Sequence, residues 1–219
     1  MLRQMINVLL AFLLLWVSTG CQSNQQHISQ VQNLPFYNTP DFTPKWIDEK
    51  EPPSFHQIAD FSFVNQNGEE ITQNTFSGKI YVADFIFTTC PGICPKMTGN
   101  MSKLQAAIKD DPDVLLLSHS VTPKMDSVSV LKTYAKQHGA IDGKWHIVTG
   151  DRKAIYTIAR KSYFADENLG FQKTENDFLH TENFILIDKH RRIRGVYNGV
   201  LPAEMTRLLE DIKLLKSKG

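Results

Sequence analysis

Apolar and polar positions change period several times along the chain, between two and about 3.6 residues, and each change marks an element. Phe61-Ser62-Phe63-Val64 and Glu69-Glu70-Ile71-Thr72 flank Asn65-Gln66-Asn67-Gly68, which predicts a hairpin with an Asn-Gly turn. Lys79 to Thr88 is a mostly apolar run of β-formers, as expected of a central strand covered on both faces. Met97, Met101, Leu104 and Ile108 then recur at helical spacing, and Pro95 suits the first turn of that helix, which runs to about Lys109. Val114 to Val121 predicts the next buried strand. Ser127 to His138 predicts a helix with Asp126 as its N-cap. Trp145 to Val148 predicts a third core strand, and Asp151 caps a helix to about Tyr163. After a polar, irregular stretch from Phe164 to Leu179, Phe184 to Asp188 and Arg192 to Val200 form a hairpin. Pro202 opens a last amphipathic helix on Leu208, Leu209, Ile212 and Leu215. Strands alternating with helices, then a hairpin and a helix, give an α/β layered fold with a central mixed sheet flanked by helices and an N-terminal hairpin.

The first residues follow another rule. Arg3 precedes an apolar stretch from Ile6 to Val17, broken only by Asn7, which is long enough for a signal segment and short for a membrane span. Ser18-Thr19-Gly20-Cys21 places small residues directly before a cysteine and resembles a bacterial lipoprotein signal, although Ser18 stands where an aliphatic residue is usual. Residues 1–20 are therefore expected to be a signal peptide and Cys21 a lipidated N-terminus. An uncleaved anchor helix and an ordinary secretory signal are the alternatives, and each places the domain outside the cytoplasm. Residues 21–53, rich in Gln, Asn and Pro, read as a tether that orders in part near Leu34–Tyr37 and Phe42–Trp46. The domain proper is expected over 54–219. The expected setting is a bacterial cell envelope, with the chain lipid-anchored to a membrane.

Composition narrows the function. The 219 residues are 42% hydrophobic with a formal charge of +1. No basic stripe interleaved with aromatics is present, which argues against a nucleic-acid partner. There are three cysteines. One is taken by the lipid site. The other two, Cys90 and Cys94, lie in Phe87-Thr88-Thr89-Cys90-Pro91-Gly92-Ile93-Cys94-Pro95, where a strand runs into a helix. Thiolates are favoured by the free amides and dipole of a helix N-terminus, so this spacing points to redox or soft-metal chemistry. A structural disulfide is the bland alternative, but closing so small a loop gains little entropy.

The order of elements resembles the thioredoxin superfamily. Within it, Cys-x-x-x-Cys-Pro together with His180, shortly before the strand Phe184-Ile185-Leu186-Ile187-Asp188, resembles the Sco/SenC copper-chaperone family from about Leu34 to the C-terminus. The resemblance implies a thioredoxin-like fold and copper bound by Cys90, Cys94 and His180. Its implied partners are the copper-bearing subunit of cytochrome c oxidase, another copper donor or a thiol reductant, and a membrane through the lipid anchor. Two features depart from the pattern: Gly92 stands where the family often has an acid, and Val121-Thr122-Pro123-Lys124-Met125-Asp126-Ser127 matches only loosely a segment often written Asp-Pro-x-x-Asp-Thr.

Two thiolates and an imidazole suit Cu(I), which tolerates three-coordination, and the same set can hold Cu(II). Zinc would want a fourth ligand or a water. His180 is one histidine of seven, and a loop histidine is commonly just solvated. His119 and His146 fall in strand patterns and read as core or edge residues. Met97 and Met101 read as core rather than as ligands. Asp84 interrupts an apolar strand, a costly position unless the carboxyl is paired or neutral. It stands where thioredoxins carry a buried acid that assists thiol chemistry, so a proton-transfer role and a merely satisfied side chain are both open.

Two functions share Cys90 and Cys94. One is a metallochaperone that inserts copper into the Cu(A) centre of cytochrome c oxidase. The other is a thiol-disulfide oxidoreductase using the redox-active pair, which would not need His180. A peroxidase is disfavoured, because Phe87 occupies the position where peroxiredoxins carry a threonine.

Overall fold

The computed structural model describes residues 33–46, 55–166 and 177–218. The expected signal segment, Cys21, most of the tether and residues 167–176 lie outside them. Among the described residues, no helix is long and apolar enough to cross a membrane.

The sheet is built on strands that have no polar face. β5 (Ile80–Ile86), β6 (Val114–Ser120) and β7 (Trp145–Thr149) are buried along their whole length and run parallel. They are flanked by β3 (Ser62–Asn65) and β4 (Glu70–Thr72) on one side and β8 (Asn183–Ile187) and β9 (Ile193–Asn198) on the other. The order is β4-β3-β7-β6-β5-β8-β9, so β6 lies at the centre of a mixed seven-stranded sheet and β5 is an interior strand beside it. A short pair, β1 (Phe36–Tyr37) with β2 (Pro44–Lys45), precedes it.

Because side chains alternate along a strand, β5 serves two cores. Tyr81, Ala83 and Phe85 pack with Ile155, Tyr156 and Ile158 of α3 (Arg152–Lys161). Ile80, Val82 and Ile86 pack with Met97, Met101 and Leu104 of α1 (Cys94–Ile108), Leu131 of α2 (Val128–Gln137), and Leu208 and Ile212 of α4 (Pro202–Lys218). Met97 and Met101 are core, as their spacing predicts.

Local chemistry sets the element ends. In the β3–β4 turn, Asn65 Oδ1 accepts from the amides of Asn67 and Glu69, and Gly68 adopts φ +80. The positive φ falls on Gly68 rather than on Asn67 as well, so the turn is the longer bulged kind and not a two-residue Asn-Gly turn. Asp151 caps α3 through the Ala154 amide at 2.8 Å, as expected. α2 is capped by Ser127, which accepts from Val130, and not by Asp126. Asp126 faces inward and holds a different set of groups.

The segment read as a partly ordered tether contributes to the core. Leu34 and Phe36 are buried, and the Phe36 ring stacks on Phe55 at 4.1 Å. Arg194 of β9, itself buried, donates to the carbonyls of Leu34 (2.7 Å) and Pro35 (3.1 Å), lies over the Phe36 ring and pairs with Asp188. The folded unit therefore starts well before residue 54.

Candidate metal and thiol site

β5 ends at Ile86, and the chain turns at once: the Cys90 amide donates to the Phe87 carbonyl at 3.3 Å. α1 then opens at Cys94, with Pro95 inside its first turn and no side-chain cap from Ile93. With no side chain capping that end, the amides there are left for another acceptor. Cys94 is buried among Met97, Met101 and Ile86, whereas Cys90 remains partly exposed. Both thiols are free.

Their acidities diverge. Burial works against a Cys90 thiolate, but hydrogen bonds from the Cys94 thiol and from the amides of Cys94, Gly92 and Ile93 outweigh it, so the Cys90 pKa lies below the ordinary thiol value. Burial, reinforced by the neighbouring Cys90 charge and by Asp84, pushes Cys94 up to about 12. One sulfur is thus partly exposed and the more acidic of the two, and the other is its protonated, buried partner.

Asp84 sits on the α1-facing side of β5, opposite Ser118 of β6. It is 1% exposed, and neither carboxyl oxygen has a hydrogen-bond partner among the described residues. Burial raises its pKa to about 7. A carboxyl near neutrality beside Cys94 has the acidity wanted of a group that trades protons with a thiol.

His119 and His146 are strand residues of the core, as their pattern implied. His119 stacks on Phe85 at 4.9 Å and is ringed by Phe61, Phe63 and Tyr163, and burial lowers its pKa to about 3. Neither belongs to a ligand set.

His180 is exposed in the approach to β8. Among the described residues no three His, Cys, Asp or Glu side chains gather as a metal-holding group. The structure brings Cys90 and Cys94 together, with Asp84 near enough to act on Cys94 electrostatically, and His180 does not join them in a metal-holding group. An open pocket of about 400 Å³ lined by Thr88, Ser129, Val130, Thr133, Tyr134 and Gln137 contains no cysteine or histidine, so it is no alternative metal site.

Two contributors to the site escaped the sequence reading. Thr88 stands two residues before Cys90, and its hydroxyl donates to Asp126 at 2.6 Å. The only sequence signal was an Asp adjacent to a Ser at a helix start, where either residue makes a good cap.

The chain is similar to known proteins in sequence and in fold. The SCO1/SenC family model matches residues 49–215. The SCO1 protein homolog of Bacillus subtilis is 31% identical over 163 residues, covering 74% of this chain and 83% of that protein. Among solved structures, BsSco, a member of the Sco family of cytochrome c oxidase assembly proteins in which a disulfide switch was identified, is 28% identical. It has a TM-score of 0.61 and covers 75% of this chain and 96% of its own. Bradyrhizobium japonicum ScoI with copper bound is 25% identical with a TM-score of 0.54, covering 68% and 97%.

Proposed function

Because the chain belongs to the SCO1/SenC family, we propose that its paired thiols take up copper as cargo and deliver it during assembly of the Cu(A) centre of cytochrome c oxidase. The observation that carries this reading is the pair itself: two free cysteines in contact beyond the end of the interior strand β5, facing the open amides of a helix. That is a soft, partly accessible donor set that fits Cu(I). The copper bound to the Bradyrhizobium relative and the oxidase-assembly role of the BsSco family support it.

In this reading Cys90 and Cys94 supply the two sulfurs and His180 swings in as the third ligand. Its place outside the thiol group makes it the ligand that closes on copper arrival and opens on release. The domain works on the extracytoplasmic side of a bacterial membrane, held by lipid on Cys21. Asp84 takes the proton that Cys94 must lose before its sulfur can bind metal.

The divided acidity of the two thiols favours a second reading, thiol-disulfide exchange with a partner's cysteines. The two separate experimentally. Titrating the reduced chain with Cu(I) should give one copper per chain. Cys90→Ser or Cys94→Ser should abolish tight binding, and His180→Ala should weaken it strongly while leaving disulfide exchange intact. Binding unchanged in His180→Ala, alongside rapid reduction of a partner dithiol, would transfer the function to the reductase.

A further inference from the structure

Asp126 is fully buried and lies outside the thiol pair, yet it reaches the turn that carries Cys90. Its two oxygens divide their work. Oδ1 accepts from the Thr88 hydroxyl at 2.6 Å. Oδ2 accepts from the hydroxyls of Ser120 (2.6 Å) and Thr122 (2.9 Å) on its own side, and from the Thr88 amide at 3.3 Å. The carboxylate therefore spans from the β6–α2 loop to the exit of β5.

Within the turn itself Thr89, Pro91 and Gly92 are exposed and one backbone hydrogen bond, Cys90 to Phe87, closes it. Phe87 is held by the Phe178 ring, and the Cys90 sulfur accepts from the amides of Gly92, Ile93 and Cys94, so Asp126 adds a restraint on the strand side of the turn. Cys94, by contrast, is fixed by α1 and its core contacts. The distance between the sulfurs is then set by where the turn sits. Short hydrogen bonds to a carboxylate are about twice as strong as neutral ones, which suits a carboxylate to this task.

We infer that Asp126, acting through Thr88, is a positioning residue that holds Cys90 where it can share a metal or a bond with Cys94. The inference rests on the reading of Cys90 and Cys94 as a working pair. It concerns their preorganisation, which any use of two sulfurs at once requires.

The test is made on the full chain by equilibrating it with oxidised and reduced dithiothreitol. Forming the protein disulfide passes two electrons and two protons to oxidised dithiothreitol, which becomes the dithiol, so the equilibrium constant measures how well the sulfurs are placed. Thr88→Val and Asp126→Asn should each lower that constant by about three- to tenfold, the worth of one hydrogen bond. Thr88→Ser, which keeps the hydroxyl, should restore it. Thr122→Val removes a bond to the same carboxylate on the far side from the thiols. It should lower the melting temperature while changing the constant by less than about twofold. A purely structural Asp126 would make Thr122→Val and Thr88→Val equivalent, and that result, or an unchanged constant in Thr88→Val, overturns the inference. Should Asp126→Asn fail to fold, the Thr88→Val and Thr88→Ser pair still decides. Copper titration of the same proteins separates the two ideas. A wild type that binds no copper but shows the disulfide shift keeps the latch and sinks the cargo reading. A wild type and variants that bind copper equally, with equal disulfide constants, do the reverse.

Discussion

The Phe178 ring stands edge-on to Phe87, with centroids 5.3 Å apart and planes at 90°. Phe87 leads into the Cys90 turn and Phe178 into His180, so this contact joins the thiol end of β5 to the approach of the proposed third ligand. Aromatic pairs of this geometry contribute roughly 0.5–1.5 kcal/mol beyond burial.

Phe178→Ala should accordingly weaken copper binding by about two- to tenfold. Phe178 is 47% exposed, so the melting temperature should move little. Competition with a Cu(I) chelator measures the first and thermal denaturation the second. Equal affinity in the two proteins would show that the contact does not steer His180.

The thiols predict an order of modification. With iodoacetamide near neutral pH, Cys90 of the reduced chain should be alkylated first, because its pKa lies below the ordinary thiol value and its sulfur is accessible. Cys94, buried and raised to about 12, should react last. Peptide mapping over a time course reads this directly. Equal rates at the two sites would contradict the divided acidity.

Asp84 and His119 predict opposing pH slopes. Asp84 titrates near 7 in the fold against an unfolded value near 3.8, so between those values the fold holds a proton that the unfolded chain has lost, and stability falls as pH rises. His119 titrates near 3 against 6.5 unfolded, so over that window the unfolded chain binds the extra proton, and stability rises with pH. Each slope is about 1.4 kcal/mol per pH unit, and between roughly pH 4 and 6.5 they cancel. His119→Phe, which suits the aromatic surroundings, should expose the falling slope and Asp84→Asn the rising one. Urea denaturation from pH 4 to 8 tests both, and parallel curves for the two variants would refute the assignment.

The elements that could be read from sequence are those whose cause is local or continuous. β5 and β6 are mostly apolar runs because both faces are covered, and Asp151 caps the residues that directly follow it. The thiol pair was legible for the same reason, since its strand, turn and helix start are contiguous. What escaped depends on groups far apart in the chain. Asp126 looks like any helix cap until Thr88, 38 residues away, is found against it. Leu34 looks like tether until Arg194, 160 residues on, takes its carbonyl. His180 could be ranked above its six companions only by likeness to a family, because no local pattern says where a loop histidine will reach.

The Arg194 clasp also bears on how the domain carries load. A pull arriving through residue 33 meets first the carbonyls of Leu34 and Pro35, held by a buried guanidinium that Asp188 anchors in turn. The force is then spent on β9, the edge of the sheet, while the strand bearing the thiols lies two places further in. Arg194 acts as strain relief does on a cable: tension from outside is taken up at the casing, and the contacts inside stay in register.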